Sequence, residues 1–116
     1  MTLPNPGSGD ADVVIAGGGP TGLLLAIELR LAGVEPVLLE REPAISEVPT
    51  GNGLFGQIVP FLDYRGLLEP MRADATYTGP VPQFFFGPLQ LDFSRLPVSP
   101  LQVLALPQRR IEARLA

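Results

Sequence analysis

The chain has 116 residues, 46% of them hydrophobic, and a net charge of −4, which allows one core of modest size. All eight of its basic residues are arginines, spread along the chain with no lysine, so no basic stripe exists to track a nucleic-acid backbone. Cysteine and histidine are both absent, which excludes disulfides, thiolate or imidazole metal sites and any Ser-His or Cys-His nucleophile pair. No metal is expected, and the chemistry must come from a bound cofactor. Residues 1–10 carry neither a basic n-region nor an apolar h-region and read as a flexible polar leader rather than a signal peptide. The apolar stretch from Leu23 to Leu31 contains Glu28 and Arg30 and is too short to span a bilayer, so no membrane partner and a cytoplasmic location are expected.

Asp12 to Ala16 is a β-branched run followed at once by glycines, the pattern of a parallel strand buried on both faces. Pro20 to Ala32 reads as a helix, with proline tolerated at its first position and Gly33 placed to end it. Only Glu28 and Arg30 are strongly polar within it, so most of its circumference is expected to be buried. Glu35 to Glu40 reads as a second strand, making residues 12–40 one βαβ unit of about 30 residues. Pro43 to Gly53 has loop composition. Leu54, Ile58, Phe61, Leu62, Leu67 and Leu68 then recur at helical spacing, with Pro60 in the first turn or at a bend and Gly66 as a stop.

After Asp74 the period changes. Phe84 to Phe86 and Leu89 to Phe93, joined by Gly87-Pro88, read as two strands, the second half-buried. Val103 to Leu106 is a further strand candidate, and Pro107 opens a helix from Gln108. The expected fold is α/β, with a Rossmann-like βαβ and parallel sheet followed by the start of a β-rich substrate domain, in a chain read as truncated. The expected division is a leader at 1–10, the first part of a dinucleotide-binding domain at 11–75, a β-rich segment at 76–106, and a helix returning to the first domain at 107–116.

Gly17, Gly19 and Gly22 form a G-x-G-x-x-G between a strand and a helix, the context this fingerprint requires. Gly17 permits the tight turn, Gly19 lets the backbone approach a pyrophosphate, and Gly22 allows close helix-to-strand packing. The pyrophosphate then meets the N–H groups at the helix N-terminus. Glu40 ends the second strand, where its carboxylate accepts from adenosine ribose hydroxyls and repels a ribose phosphate, which argues against NADP in this site. The plain alternative is a structural glycine turn and an ordinary surface carboxylate. The fingerprint does not choose between FAD and NAD.

Three blocks in order, VVIAGGGPTGLLLAIELRLAGVEPVLLER, GNGLFGQIVPFLDYRGLLEPM and LPQRRIEARLA, resemble the N-terminal part of the class A FAD-dependent aromatic monooxygenases, the para-hydroxybenzoate hydroxylase-like group. The resemblance is strongest to the actinomycete aromatic polyketide oxygenases of the tetracycline, angucycline and mithramycin type. It implies that Gly17, Gly19, Pro20, Thr21 and Gly22 contact the FAD pyrophosphate, that Glu40 holds the adenosine ribose, that Arg41 lies against the adenine, and that Gln108 reaches the ribityl chain. Against this stand a solvated Arg41 and a Gln108 that only starts a helix.

The resemblance further implies NADPH as transient reductant, O2 as co-substrate and a small aromatic polyketide as substrate, with hydroxylation or Baeyer-Villiger insertion as the outcome. Many members carry an arginine at the position of Thr50, and the polyketide enzymes often another at Gln57. Their absence leaves the handling of flavin charge to other groups, and Gly51-Asn52-Gly53 offers a backbone approach instead. The family's later Asp-Gly and Gly-Asp blocks are missing, so the remainder of the enzyme is needed for a complete site, and the segment alone is expected to be inactive. No catalytic acid or base is named by the sequence. Phe84 and Phe86, which alternation puts on one face, are candidates for a substrate wall, with plain core as the alternative. Two other classes stay open: an FAD or NAD oxidoreductase without oxygen activation, and a non-catalytic dinucleotide-binding module.

Overall fold

The structure, a computed structural model, describes residues 11–48 and 51–116. The leader at 1–10 and Thr50 lie outside the described residues. Among the described residues two units are distinguished, one from residue 11 to residue 44 with Leu115, the other from residue 45 to residue 114 with Ala116.

The first unit is built from strand β1 (Val13–Ala16), helix α1 (Pro20–Leu31) and strand β2 (Pro36–Leu39). β1 and β2 pair in parallel with Val13 opposite Pro36 and Ala16 opposite Leu39, the βαβ arrangement expected from the sequence. Helix α1 starts with Pro20 at its first position and ends as predicted at Gly33, whose φ is +82°. There the N–H of Val34 donates to the Leu29 carbonyl at 2.9 Å and that of Gly33 to Arg30 at 3.0 Å, the two bonds that close a helix on a left-handed residue.

The burial expected for this unit is not met. Helix α1 has no buried residue, and in β1 only Ile15 is buried. A sheet of two strands is too narrow to cover a helix with so little polar surface, so Leu25 and Leu31 stand exposed.

In the second unit the single helix expected from Leu54 is replaced by three elements. Leu54–Phe55 is a short strand, β3, followed by a turn at Gly56 (φ +77°), helix α2 (Ile58–Tyr64) and helix α3 (Leu68–Asp74). The reason is pairing: Leu54 and Phe55 oppose Leu104 and Val103 of a later strand, which captures them before a helix can start. Pro60 falls in the first turn of α2, where its missing N–H costs nothing. Gly66 (φ +69°) stops α2 as expected, with Leu67 N–H bonded to the Leu62 carbonyl at 2.8 Å.

Strand β4 (Tyr77–Pro80) was not legible in the sequence, because Gly79 and Pro80 are poor strand formers. It is an edge strand, which is where proline is tolerated. Strands β5 (Gln83–Phe86) and β6 (Leu89–Asp92) form the expected hairpin about Gly87, whose φ is +60°. Every residue of β6 is exposed, so its alternation does not reflect a half-buried face. Strand β7 (Gln102–Ala105) lies one residue earlier than predicted and is central in the antiparallel order β3-β7-β4. β7 thus joins Leu54–Phe55 to the later β-rich segment in one sheet.

Helix α4 (Gln108–Leu115) follows Pro107. The buried side chains of this unit include Val59, Leu62, Leu68, Met71, Leu104, Leu106 and Ile111, contributed by α2, α3, α4 and the β7 region. Among the described residues no helix is long and apolar enough to cross a membrane, and no group of His, Cys, Asp or Glu side chains could hold a metal ion.

Candidate functional site

The glycine run between β1 and α1 is held by its neighbours more tightly than the fingerprint alone suggests. Gly17 takes φ +111°, and its N–H donates to the Leu39 carbonyl at 2.7 Å, extending the parallel pairing into the turn. Gly19 is the N-cap of α1 in an extended conformation, and its carbonyl accepts the first helical bond from Leu23 at 2.9 Å. A Cβ at Gly22 would lie 2.0 Å from the Gly17 carbonyl oxygen and 3.3 Å from Ile15 Cγ2. Glycine there is a steric requirement: the first helical turn folds directly over the loop backbone.

Glu40, just beyond β2, is bound to this loop. Its Oε2 accepts from Gly18 N–H at 2.6 Å, and its Oε1 accepts from Glu42 N–H at 2.8 Å. The Glu42 N–H first, then the Gly18 N–H, hold the carboxyl below the usual glutamate range, with smaller help from Arg41. A Cβ at Gly18 would come within 3.1 Å of Glu40 Oε2 and 3.2 Å of Leu38 Cδ2, so this glycine allows the carboxylate to reach the main chain. The sequence reading assigned Gly18 no task. Ala16, Gly17, Leu39, Glu40 and Arg41 line an open cleft of about 460 Å³ at this end of the two strands. Thr21 is exposed on the first turn of α1, Pro20 fills its first position, and Arg41 points to solvent, pairing with Glu42 at 3.1 Å. Gly17, Pro20, Thr21, Gly22, Glu40 and Arg41 are therefore gathered at one edge of the βαβ unit.

The second unit holds Gln108 at the start of α4. Its main-chain N–H donates to the Gly51 carbonyl at 3.0 Å, and its side-chain Nε2 donates to Glu112 Oε1 at 2.8 Å. Arg109 bonds Glu47 at 3.1 Å, tying the loop before β3 to the same helical turn. Ser46, Glu47, Asn52, Pro107, Gln108 and Arg109 surround a cleft of about 300 Å³. Of these, the sequence reading placed Gln108 and Asn52 near the cofactor and gave Pro107 only the start of a helix. The Gln108 to Glu112 spacing of one helical turn was the legible signal for Glu112, the side-chain partner of Gln108. A Cβ at Gly53 would lie 2.8 Å from the Leu104 carbonyl, so this glycine lets the chain cross close to β7. Gln57 is exposed at the start of α2.

Phe84 is half-buried, its ring 5.2 Å from that of Phe55 at an angle of 41°. Phe85 and Phe86 are 60% and 73% exposed, which removes both from the core of this unit.

Residues 10–116 match the model of the FAD binding domain family. The chain belongs to this family. The loop has the close backbone packing that a dinucleotide cradle requires: a Cβ at Gly22 would meet the Gly17 carbonyl oxygen at 2.0 Å, whereas one at Gly17 would meet nothing within 4 Å. Among curated relatives, the 12-dehydrotetracycline 5-monooxygenase/anhydrotetracycline 6-monooxygenase of Streptomyces rimosus is 42% identical over 101 residues, covering 87% of this chain and 20% of its own. The dialkyldecalin synthase of Streptomyces rugosporus is 36% identical over 110 residues, covering 89% of this chain and 22% of its own. The crystal structure of CabE, an aromatic hydroxylase from angucycline biosynthesis, superposes with a TM-score of 0.75 at 35% identity, over 91% of this chain and 21% of that one. The chain thus spans about a fifth of the length of these two curated relatives.

Proposed function

We propose that this chain supplies the ADP-binding end and part of the ribityl contact of an FAD-dependent monooxygenase that uses NADPH and O2 on a small aromatic polyketide. The observation that carries the reading is the Gly17–Gly22 cradle with Glu40 fixed against it, in a chain that belongs to the FAD-binding domain family. Gly17, Gly19, Pro20, Thr21 and Gly22 bind the pyrophosphate at the N-terminus of α1. Glu40, its orientation set by Gly18 and Glu42, receives the adenosine ribose through its remaining lone pairs. Arg41 lies beside the adenine, and Gln108 meets the ribityl chain. FAD, when bound, supplies the redox and oxygen chemistry, and the protein's share is to bind, orient and exclude water.

In this reading residues 11–75 begin the FAD-binding domain, 76–106 belong to a substrate domain, and 107–116 return to the first. Phe84 and Phe86 contribute an apolar wall for aromatic rings. The enzyme works in the cytoplasm and needs further polypeptide for a complete site. Whether the product is a phenol or a Baeyer-Villiger ester follows from the substrate pose.

The name of the Streptomyces rugosporus relative, a synthase, supports a second reading in which the flavoprotein acts without activating oxygen. Oxygen uptake by the intact flavin-loaded protein decides between them. NADPH-dependent O2 consumption stimulated by aromatic polyketides supports the monooxygenase, whereas product formation in anaerobic buffer without reductant supports the alternative.

A further inference from the structure

Glu112 is the one charged side chain that is buried among the described residues. It sits one helical turn after Gln108 on α4, and its Oε1 accepts from Gln108 Nε2 at 2.8 Å. A carboxylate oxygen presents lone pairs that accept. The nitrogen end of the Gln108 amide faces it, and the oxygen end is turned the other way. That oxygen lies 3.2 Å from the point a Gly51 Cβ would occupy, beside the same loop whose Gly51 carbonyl receives the Gln108 main-chain N–H. The last side-chain torsion of glutamine is broad and nearly two-fold, so an amide without such a partner would present either end.

We propose that Glu112 is a positioning residue that fixes the Gln108 amide with its oxygen toward the Gly51 loop, so that the site offers an acceptor to a hydroxyl of the flavin's sugar-alcohol chain. The inference rests on the reading of Gln108 as a ribityl contact. It accounts for the burial of a carboxylate that has no arginine partner in any ion pair described: its neighbour is an amide whose two ends differ only in which of them donates.

The test is a set of FAD dissociation constants, measured by flavin fluorescence on the intact protein, for wild type, Q108L, E112L, E112Q and Q108L/E112L. Q108L and E112L should each weaken binding about fivefold, the worth of one ordinary hydrogen bond. The double variant should bind no more weakly than Q108L alone, because Glu112 acts through Gln108. E112Q keeps an oxygen that can accept from Gln108 Nε2 but adds an NH2 that can hold the flipped amide, so its affinity should fall between wild type and E112L. A merely structural Glu112 would not give the missing additivity. Unchanged affinity in E112L, or an undiminished E112L penalty in the Q108L background, would overturn the proposal while leaving the ribityl reading of Gln108 intact. Unchanged affinity in Q108L would instead sink that reading and the proposal with it. E112M, which keeps a long buried chain without the acceptor, replaces E112L if the latter does not fold. In the wild-type protein the Gln108 side-chain amide protons should exchange slowly with solvent, and exchange at the rate of a free amide would also overturn the assignment.

Discussion

The main-chain N–H of Gly18 donates to Oε2 of Glu40 at 2.6 Å, across 22 residues of sequence. This bond joins the loop after the first strand to the residue after the second, so the glycine loop and the end of β2 are fixed to each other by one carboxylate. Glu40→Gln should keep a weakened acceptor and lower FAD affinity, while Glu40→Ala should lower it further, by about tenfold or more for a lost charge-assisted bond. Equal affinity in wild type and Glu40→Ala, by fluorescence titration, would reduce Glu40 to a strand end.

The same carboxylate sets an acid limit. Glu42 N–H and Gly18 N–H hold its pKa below 4.5, so the folded state binds a proton there less readily than the unfolded chain does. Its contribution is fully present above the unfolded value and is lost as pH falls through the folded one. Asp74 follows the same sign, lowered from 3.8 first by the side-chain bond from Arg114, which it meets at 2.8 Å. Denaturant melts from pH 6 downward should therefore show a stability loss that is smaller in Glu40→Gln and Asp74→Asn than in wild type. Parallel curves for all three would show that neither group is linked to folding.

Glycine substitutions separate the fold from the site. Gly22→Ala puts a Cβ 2.0 Å from the Gly17 carbonyl, a backbone atom that cannot step aside, so the βαβ unit should lose its native structure. Gly18→Ala meets a side-chain oxygen at 3.1 Å and Leu38 at 3.2 Å, which move more easily. The expected outcome is a folded protein with impaired FAD binding, read as a near-normal melting temperature beside a raised dissociation constant. A Gly22→Ala variant that binds FAD normally would contradict the packing described here.

Much of the first unit was legible because its rules are local. The strand Val13–Ala16, the proline start and glycine stop of α1, and the acid at Glu40 follow from residue type and spacing. The Glu40 to Gly18 bond was not legible, since a glycine carries no sign that its N–H serves a carboxylate 22 residues away. In the second unit, Leu54 fits a helical period but with Phe55 pairs with Leu104 and Val103, a non-local contact that periodicity cannot register. Tyr77–Pro80 escaped for the same reason, being strand only because β7 lies beside it. Gln108 was found by resemblance and Glu112 by neither resemblance nor composition, although its spacing of four on α4 was visible.

The phenylalanines of the hairpin offer a kinetic test. Phe84→Leu removes a ring in tilted contact with Phe55 and should lower stability, whereas Phe86, 73% exposed, contributes little to the core of its unit. In the intact enzyme Phe86→Leu should therefore raise KM for an aromatic substrate with little change in melting temperature. Unchanged KM in both variants would assign the hairpin a role other than substrate contact.

The two glycines flanking Asn52 should respond oppositely to the same added methyl. At Gly53 a Cβ would sit 2.8 Å from the Leu104 carbonyl and 3.2 Å from Ala105 Cα, both main-chain atoms of the central strand β7. Relief requires β3 to move away from β7, which breaks the pairing of Leu54 with Leu104 and loosens a sheet whose Leu104 is fully buried. Gly53→Ala should thus destabilise the protein by roughly the 1–3 kcal/mol that overpacking costs. At Gly51 the nearest atom is Gln108 Oε1 at 3.2 Å, the far end of a flexible side chain. Gly51→Ala should displace that amide by a few tenths of an ångström, leaving the melting temperature nearly unchanged and weakening FAD binding. Paired thermal melts and flavin titrations distinguish the two effects, and a Gly51→Ala variant with wild-type affinity would mean that the Gln108 oxygen is not part of the flavin site.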